Sequence, residues 1–393
     1  MSDQTFESQK ASPETHGSLR ILMLVRKNLR EHPGGDTTQI LQTAAHLHRL
    51  GLNIDLQNTL PSDLSAYDVV HLFHLDRLWE NLAHVRCIQK TGVPCVLSTI
   101  YWPPDEYDRH ARTGFQGSLA RMLGSRIYEN LRLIQRWALQ SVKREQALVF
   151  CPNFIDGAFE LLESVDVILP NSRAEQQQIE DRFGRYAECV VVPNGVDVEV
   201  FRPPGDDDNL QRVGVLCVGR FEPRKNQLNL VRALRGTEIP LTFVGQPGRF
   251  SKRYYRRCRR KATSNIYFAG QQPADVLSRW YHRFAVHACV SWYETPGLAS
   301  LEAGLSGCNL VVTPGGCTQE YFGDGAFYCE PGNPDSIRKT IEKALHAEQS
   351  LQTPRHIMQN YTWDQVAEKT LEGYEQAIAL RKAQTRPHDN TQS

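Results

Sequence analysis

Trp292-Tyr293-Glu294-Thr295-Pro296-Gly297-Leu298-Ala299-Ser300-Leu301-Glu302 decides how the rest of the chain is read. It joins an apolar run at 284–290 to a segment that reads as a helix from Leu298. A strand that ends in a Gly-containing turn and opens a helix presents free backbone N–H groups. Together with the helix dipole these favour an anion. Glu294 falls in the turn, and Glu302 a little over one turn into the helix. The two carboxylates flank the anion site and suit the gripping of hydroxyls. A solvated loop acid beside a dipole-favoured helix glutamate is the plainer reading of the same residues.

A second stretch shifts that balance. Residues 214–220 read as a strand, and Phe221-Glu222-Pro223-Arg224-Lys225-Asn226 as the loop opening a helix through Arg235. Arg220 and Lys225 then stand beyond the carboxyl end of a strand, where a parallel sheet presents its ligands. An Arg forks two phosphate oxygens, and a Lys adds a mobile point charge. Two cations and a helix N-terminus suit a diphosphate leaving group.

Gly219-Arg220-x4-Lys225-Asn226, followed by Glu294-x7-Glu302, resembles the family-four retaining glycosyltransferases of GT-B fold. Other pieces agree in order. They are Pro33-Gly34-Gly35 after the first strand, Val192-Pro193-Asn194-Gly195-Val196-Asp197 with Phe201-Arg202-Pro203, and Glu320 after Gly315-Gly316. Tyr361-Thr362-Trp363 opens the last helix. The resemblance runs from about Leu19 to Leu380. It implies transfer of a sugar, with retention, from a nucleoside-diphosphate donor to an acceptor hydroxyl. In that picture Arg220 and Lys225 neutralise the diphosphate, and the Gly297 and Leu298 amides assist. Gly34 and Gly35 meet the donor phosphate and sugar. Glu294 contacts the transferred sugar and Glu302 the ribose diol. Where relatives commonly read Glu-Gly-Phe-Gly-Leu, this chain has Glu294-Thr295-Pro296-Gly297-Leu298; Pro296 has no N–H, so one donor is missing. Many relatives also carry a His after the strand that here ends at Ser98. This chain has Thr99-Ile100-Tyr101-Trp102 instead. Tyr101 or Trp102 is therefore expected to shape the acceptor side, with His71 and His74 at a neighbouring strand end. A lone His is more often structural than functional.

The 393 residues suit two domains better than one. Apolar residues at 40% and charged residues at 23% are those of a soluble globular protein. A net charge of +1 gives no global field for nucleic acid. The 10 cysteines are scattered without a CxxC pair or metal-ligand spacing, which predicts reduced thiols in a cytoplasmic protein. Asp206-Asp207-Asp208 reads as part of a solvated linker, and neither a metal nor a cofactor is expected. No apolar run approaches the ~20 residues of a membrane span. Residues 1–18 have no apolar signal core, so a secretory signal is not expected. They and residues 382–393 read as disordered ends.

Along the chain, strand-like runs at 20–25, 53–57, 68–73, 93–98, 165–169 and 189–193 alternate with helical patterns. A second series follows at 213–218, 241–244, 266–268, 284–290, 310–312 and 326–328. Such alternation, twice over, predicts an α/β protein with two Rossmann-like doubly wound parallel sheets. With the resemblance, this is a GT-B arrangement around an interdomain cleft. The acceptor-side domain is expected at 19–202, a linker at 203–212 and the nucleotide-sugar domain at 213–365. A final helix at about 366–381 is implied to cross back onto the first domain. Residues 118–142 read as a long amphipathic helix. Residues 250–262 read as a helix carrying Lys252, Arg253, Arg256, Arg257, Arg259, Arg260 and Lys261 with no acid. Peripheral docking on an anionic membrane surface follows, where a lipid-linked glycan or polysaccharide acceptor would be met. A solvated charged face is the other reading. A GT-B sugar epimerase or phosphorylase, and a silent sugar-nucleotide-binding protein, are the competing functions.

Overall fold

The computed structural model describes residues 19–31, 33–110, 127, 130–131, 153–184, 187–203, 205, 212–248, 250–295 and 297–385. The helix expected over 118–142 and the linker with its three aspartates fall almost wholly outside the described residues. So do residues 1–18 and 386–393.

Among the described residues, short Val-, Ile- and Leu-rich runs make two sheets of six strands each. The first contains β1 (Arg20–Leu24), β2 (Asn53–Gln57), β3 (Val69–Phe73), β4 (Cys95–Ser98), β5 (Val167–Ile168) and β6 (Glu188–Cys189). Their order is β2-β1-β3-β4-β5-β6. The second contains β7 (Val215–Val218), β8 (Leu241–Val244), β9 (Ile266–Phe268), β10 (Val286–Cys289), β11 (Asn309–Val312) and β12 (Ala326–Tyr328), in the order β12-β11-β10-β7-β8-β9. All strand pairs are parallel. β3, β4 and β10 are buried along their whole length, as helices on both faces require. In each sheet the chain reverses direction at one point, between β1 and β3 and between β7 and β10. A crevice opens at such a switch point, beyond the carboxyl ends of the strands.

The last helix, Trp363–Thr385, belongs to the first domain's core. Trp363, Val366, Ala367, Tyr374 and Ala377 recur at helical spacing and pack with β1, β3 and the Gly35–Arg49 helix. The helix continues through Thr385, so residues 382–385 are not the disordered tail the sequence suggested.

Two chain crossings join the domains, and they touch. Val196 N–H donates to the Tyr361 carbonyl at 2.9 Å. A Cβ at Gly195 would lie 2.7 Å from the Thr362 carbonyl carbon and from Trp363 N. Asn194-Gly195 is thus a point of close approach between the crossings. A second link lies beside it. The Glu320 carboxylate, from the second domain, accepts the N–H groups of Arg173 and Ala174 at 2.9 Å each. Those amides open the first-domain helix Arg173–Phe183, where a negative charge is favoured. No helix among the described residues is long and apolar enough to cross a membrane.

Candidate active site

The second-domain crevice begins where β7 ends. Gly219 (φ +147°) and Gly245 (φ +138°), at the ends of β7 and β8, approach so closely that a Cβ on Gly245 would strike the Gly219 carbonyl. Beside them a cavity of about 620 Å³ opens between the domains. Gly219, Arg220, Gln246 and Gln271 line it from the second domain, Asn28 and Pro33 from the first. That volume suits an organic ligand. Arg220 is half-exposed, with Nε 3.3 Å from Glu222 Oε1. Pro223–Lys225 forms a 3-10 turn, and Asn226 takes a left-handed φ of 59°. The Asn226 side-chain amide donates to the carbonyls of Val290 at 2.9 Å and Pro331 at 2.7 Å. These bonds fix the start of the Gln227–Leu234 helix against the end of β10 and turn Arg224 and Lys225 toward it.

Glu294 waits there, buried. Lys225 Nζ donates to its Oε1 at 2.6 Å, and Arg224 Nη1 lies 3.6 Å from Oε2. The Ser291 hydroxyl also donates to Oε1. Burial pushes the carboxyl up, but Lys225 and then Arg224 outweigh it and hold it at about 2. Glu294 is therefore ionised. Its backbone pairs with Gly316, where a Cβ would run into the Glu294 carbonyl. A Cβ at Gly315 would likewise meet the Trp292 carbonyl. The glycine pair is what lets the β11 loop lie flat against the β10 loop.

Gly297, at φ +93°, then starts the Leu298–Leu305 helix, whose first amides have no partner within the helix. Glu302 lies on that helix. The Tyr281 hydroxyl donates to its Oε2 at 3.1 Å. Burial pushes this carboxyl up to about 7; the Tyr281 bond opposes the rise, and Asp197 adds to it. One buried acid is thus charged and the other poised to titrate near neutrality. Separating two acids in this way is a mark of functional sites.

The first domain meets this crevice at its own switch point. A Cβ at Gly34 would lie 3.2 Å from Arg220 Nη2, and one at Gly35 would lie 3.8 Å from Leu298 Cδ1. Both glycines therefore face donor-side residues across the cleft. Asp36, next in sequence, accepts from Arg26 Nε at 2.7 Å and lies 3.4 Å from His74 Nε2. Burial opposes its ionisation, yet His74 and Arg26 hold it well below the usual carboxylate range. His74 has φ +70°, a strained value for a non-glycine. Its N–H donates to Ser98 O at 2.8 Å, and Asn81 donates to its carbonyl at 2.8 Å.

Two expected acceptor-side residues are structural instead. His71 is buried, with Nδ1 2.8 Å from the Tyr374 hydroxyl and Nε2 2.8 Å from Ser98 Oγ. Burial pushes it down to about 3, so it stays neutral and pins the last helix to the sheet. Tyr101 is buried against Phe154 and Phe183 in the first domain's core. Trp102 differs: half-buried, it packs on the second domain's core cluster across the cleft. Several residues were not read from the sequence. Arg224 and Ser291 hold Glu294, and Arg26 with Asp36 holds His74. Glu175 is fully buried and accepts from Tyr101 N at 2.8 Å and Asn171 N at 3.1 Å. Burial pushes its carboxyl up to about 7 against these bonds and that of Thr99.

Comparison with known proteins bears on this geometry. Residues 207–362 match the family model described as glycosyl transferases group 1. A D-inositol 3-phosphate glycosyltransferase of Acidothermus cellulolyticus is 28% identical over 255 residues, covering 58% of this chain and 56% of that protein. One from Nocardiopsis dassonvillei is 25% identical over 258 residues, covering 57% and 59%. The chain thus spans little more than half the length of these relatives. Among solved structures, sucrose-phosphate synthase from Thermosynechococcus elongatus superposes with a TM-score of 0.71 at 16% identity, over 92% of this chain and 100% of that one. Anabaena HepE, in complex with UDP and glucose, gives 0.63 at 15% identity, over 90% and 98%. At these identities the likeness establishes the fold, which is GT-B.

Proposed function

We propose that the chain, whose residues 207–362 match the family model of glycosyl transferases group 1, transfers a sugar from a nucleoside-diphosphate donor to an acceptor hydroxyl with retention of configuration. The observation that carries this reading is the convergence of Arg220, Lys225, Glu294 and the Leu298 helix start at the second-domain switch point, opposite Gly34 and Gly35. The donor base and ribose occupy the cavity beside Gly219, within reach of the Gln246 and Gln271 amides. Arg220 and Lys225 neutralise charge as the bond from the sugar C1 to the diphosphate breaks and its electron pair goes to phosphate. Such charge aimed in advance is commonly the largest catalytic contribution. Glu294 orients the transferred sugar through its hydroxyls, and Glu302 takes the ribose diol. The acceptor oxygen bonds to C1 on the face the diphosphate leaves, and its proton passes to a diphosphate oxygen. No protein nucleophile is needed.

HepE, whose structures contain UDP or UDP-glucose, supports a UDP-sugar as the first donor to try. For the acceptor we propose a lipid-linked glycan or growing polysaccharide, met by docking of the basic Lys252–Lys261 helix on an anionic membrane surface. The inositol-phosphate relatives favour a second reading, a phosphorylated polyol acceptor. The test is a panel of UDP-, GDP- and ADP-sugars scored by thermal stabilisation. A donor at about 100 times its dissociation constant should add about 2.7 kcal/mol. Turnover with both acceptor classes, and the anomeric configuration of the product by NMR, then follow. Binding without turnover on any acceptor would leave a silent binding protein. Product of inverted configuration would remove the retaining assignment.

A further inference from the structure

Arg224 is more firmly seated than Lys225, its neighbour. Its Nη1 donates to the Tyr293 carbonyl at 2.7 Å, and its guanidinium lies 5.0 Å above the Tyr293 ring. Nη1 is also 3.6 Å from Glu294 Oε2, and the Arg224 carbonyl accepts from Trp292 N–H at 2.9 Å. Lys225 reaches Glu294 only through its terminal ammonium, at 2.6 Å, on a flexible stem. Two cations therefore serve one buried carboxylate. In the reaction proposed above, the mobile one has to leave it for the diphosphate.

We propose that Arg224 is a positioning residue, the fixed counter-charge of Glu294 that frees Lys225 to move from that carboxylate to the donor diphosphate. This rests on the donor reading given above. A buried carboxylate deserted by its only cation is unstable and takes up a proton instead. A protonated Glu294 loses half its capacity to accept from sugar hydroxyls. With Arg224 in place, Glu294 stays ionised while Lys225 moves. The other titratable groups facing Glu294 leave this balance alone. They are Cys289 and His287 on β10 and Cys217 on β7. Burial pushes both thiols up and His287 down to about 3. Glu222, on the Arg224 turn, is met by Arg220.

The experiment is titration calorimetry of UDP binding at pH 7 in two buffers of different ionisation enthalpy, comparing the parent with Arg224→Gln, Arg224→Lys and the double variant Arg224→Gln/Glu294→Gln. Comparison with the parent cancels protons exchanged by Glu302 and by UDP itself. Arg224→Gln should bind UDP about ten- to a hundredfold more weakly, the range for losing a hydrogen bond to a charged group. It should also take up close to one proton more per UDP than the parent. The double variant strands no carboxylate and should lack the extra proton. Arg224→Lys keeps a charge beside Glu294 and should stay near the parent on both counts. Parental affinity and proton count in Arg224→Gln would overturn the proposal. So would an extra proton that survives in the double variant, or a loss in Arg224→Lys as large as in Arg224→Gln. A parent that binds none of UDP, GDP and ADP fails at the donor reading itself, which sets that failure apart from the others.

Discussion

The Tyr281 hydroxyl donates to Glu302 Oε2 at 3.1 Å, on a carboxyl that burial has pushed up to about 7. Its pKa in the folded protein is above the unfolded value of about 4.3. Between about pH 4.3 and about pH 7 the folded protein therefore holds a proton that the unfolded chain has lost. Two consequences have definite signs. This group's contribution to stability falls as pH rises between those two values. In contrast, affinity for a ribose diol rises, because only the ionised carboxylate offers both oxygens as acceptors. UDP affinity should increase between pH 6 and pH 8 by up to about tenfold, and Glu302→Gln should flatten the profile. A flat profile in the parent would remove Glu302 from the ribose.

Arg220 and Lys225 approach the same crevice from opposite ends of one loop, each resting on an acid, Glu222 and Glu294. Arg220→Ala and Lys225→Ala should each lower turnover by about 10²–10³ with the fold intact by circular dichroism, the usual loss for one preorganised contact to developing charge. Glu294→Gln should act mainly on kcat and Glu302→Gln mainly on the donor KM, since ribose contacts change little along the reaction. Near-parental turnover in both alanine variants at saturating donor would move the diphosphate elsewhere.

The legible part of this protein was its periodicity and its loops. Runs such as 241–244 and 266–268 became strands at the expected residues, and the helix after Gly297 starts at Leu298 as read. The loops after β7 and β10 were legible because cations, acids and glycines occur there in a short, ordered pattern. What stayed hidden depends on contacts between distant segments. Asp36, at the start of the Gly35–Arg49 helix, and His74 are separated by the two strands β2 and β3, and nothing local marks them as a pair. His71 looked like a strand-end ligand because its partner Tyr374 lies on the last helix, which no local pattern ties to β3. Asn194-Gly195 has the local composition of an ordinary turn; only the second chain crossing gives Gly195 another purpose.

Glu320 closes the helix Arg173–Phe183 from the other domain, accepting two of the amides that an isolated helix leaves open. Glu320→Gln keeps the shape but loses the charge that favours the positive helix end. Hydrogen exchange at Arg173 and Ala174 should speed up while the amides of β3 and β10 stay protected. Unchanged exchange at both amides would show that the two domains hold this contact by packing alone.

The Lys252–Lys261 helix carries basic residues at seven of its positions and no acid. Tyr254, Tyr255 and Cys258 pack on the second domain's core, so the helix is anchored by its aromatic side. Lys252, Arg253, Arg256, Arg259 and Arg260 are exposed, while Arg257 and Lys261 are half-buried. Phe250, just before the helix, is 90% exposed beside these charges. An aromatic ring at the edge of a cationic face suits a bilayer interface, where the ring enters the headgroup layer and the cations meet anionic lipid. Each Lys or Arg near such a surface contributes ~1 kcal/mol, and salt weakens the attraction. The protein should therefore float with anionic liposomes at low salt, and neither with neutral liposomes nor at high salt. Arg253→Glu/Arg256→Glu should abolish flotation and leave UDP binding untouched, because neither residue lines the cavity beside Gly219. Equal flotation with anionic and neutral lipid at low salt would dismiss the membrane surface as a partner and leave the basic face solvated.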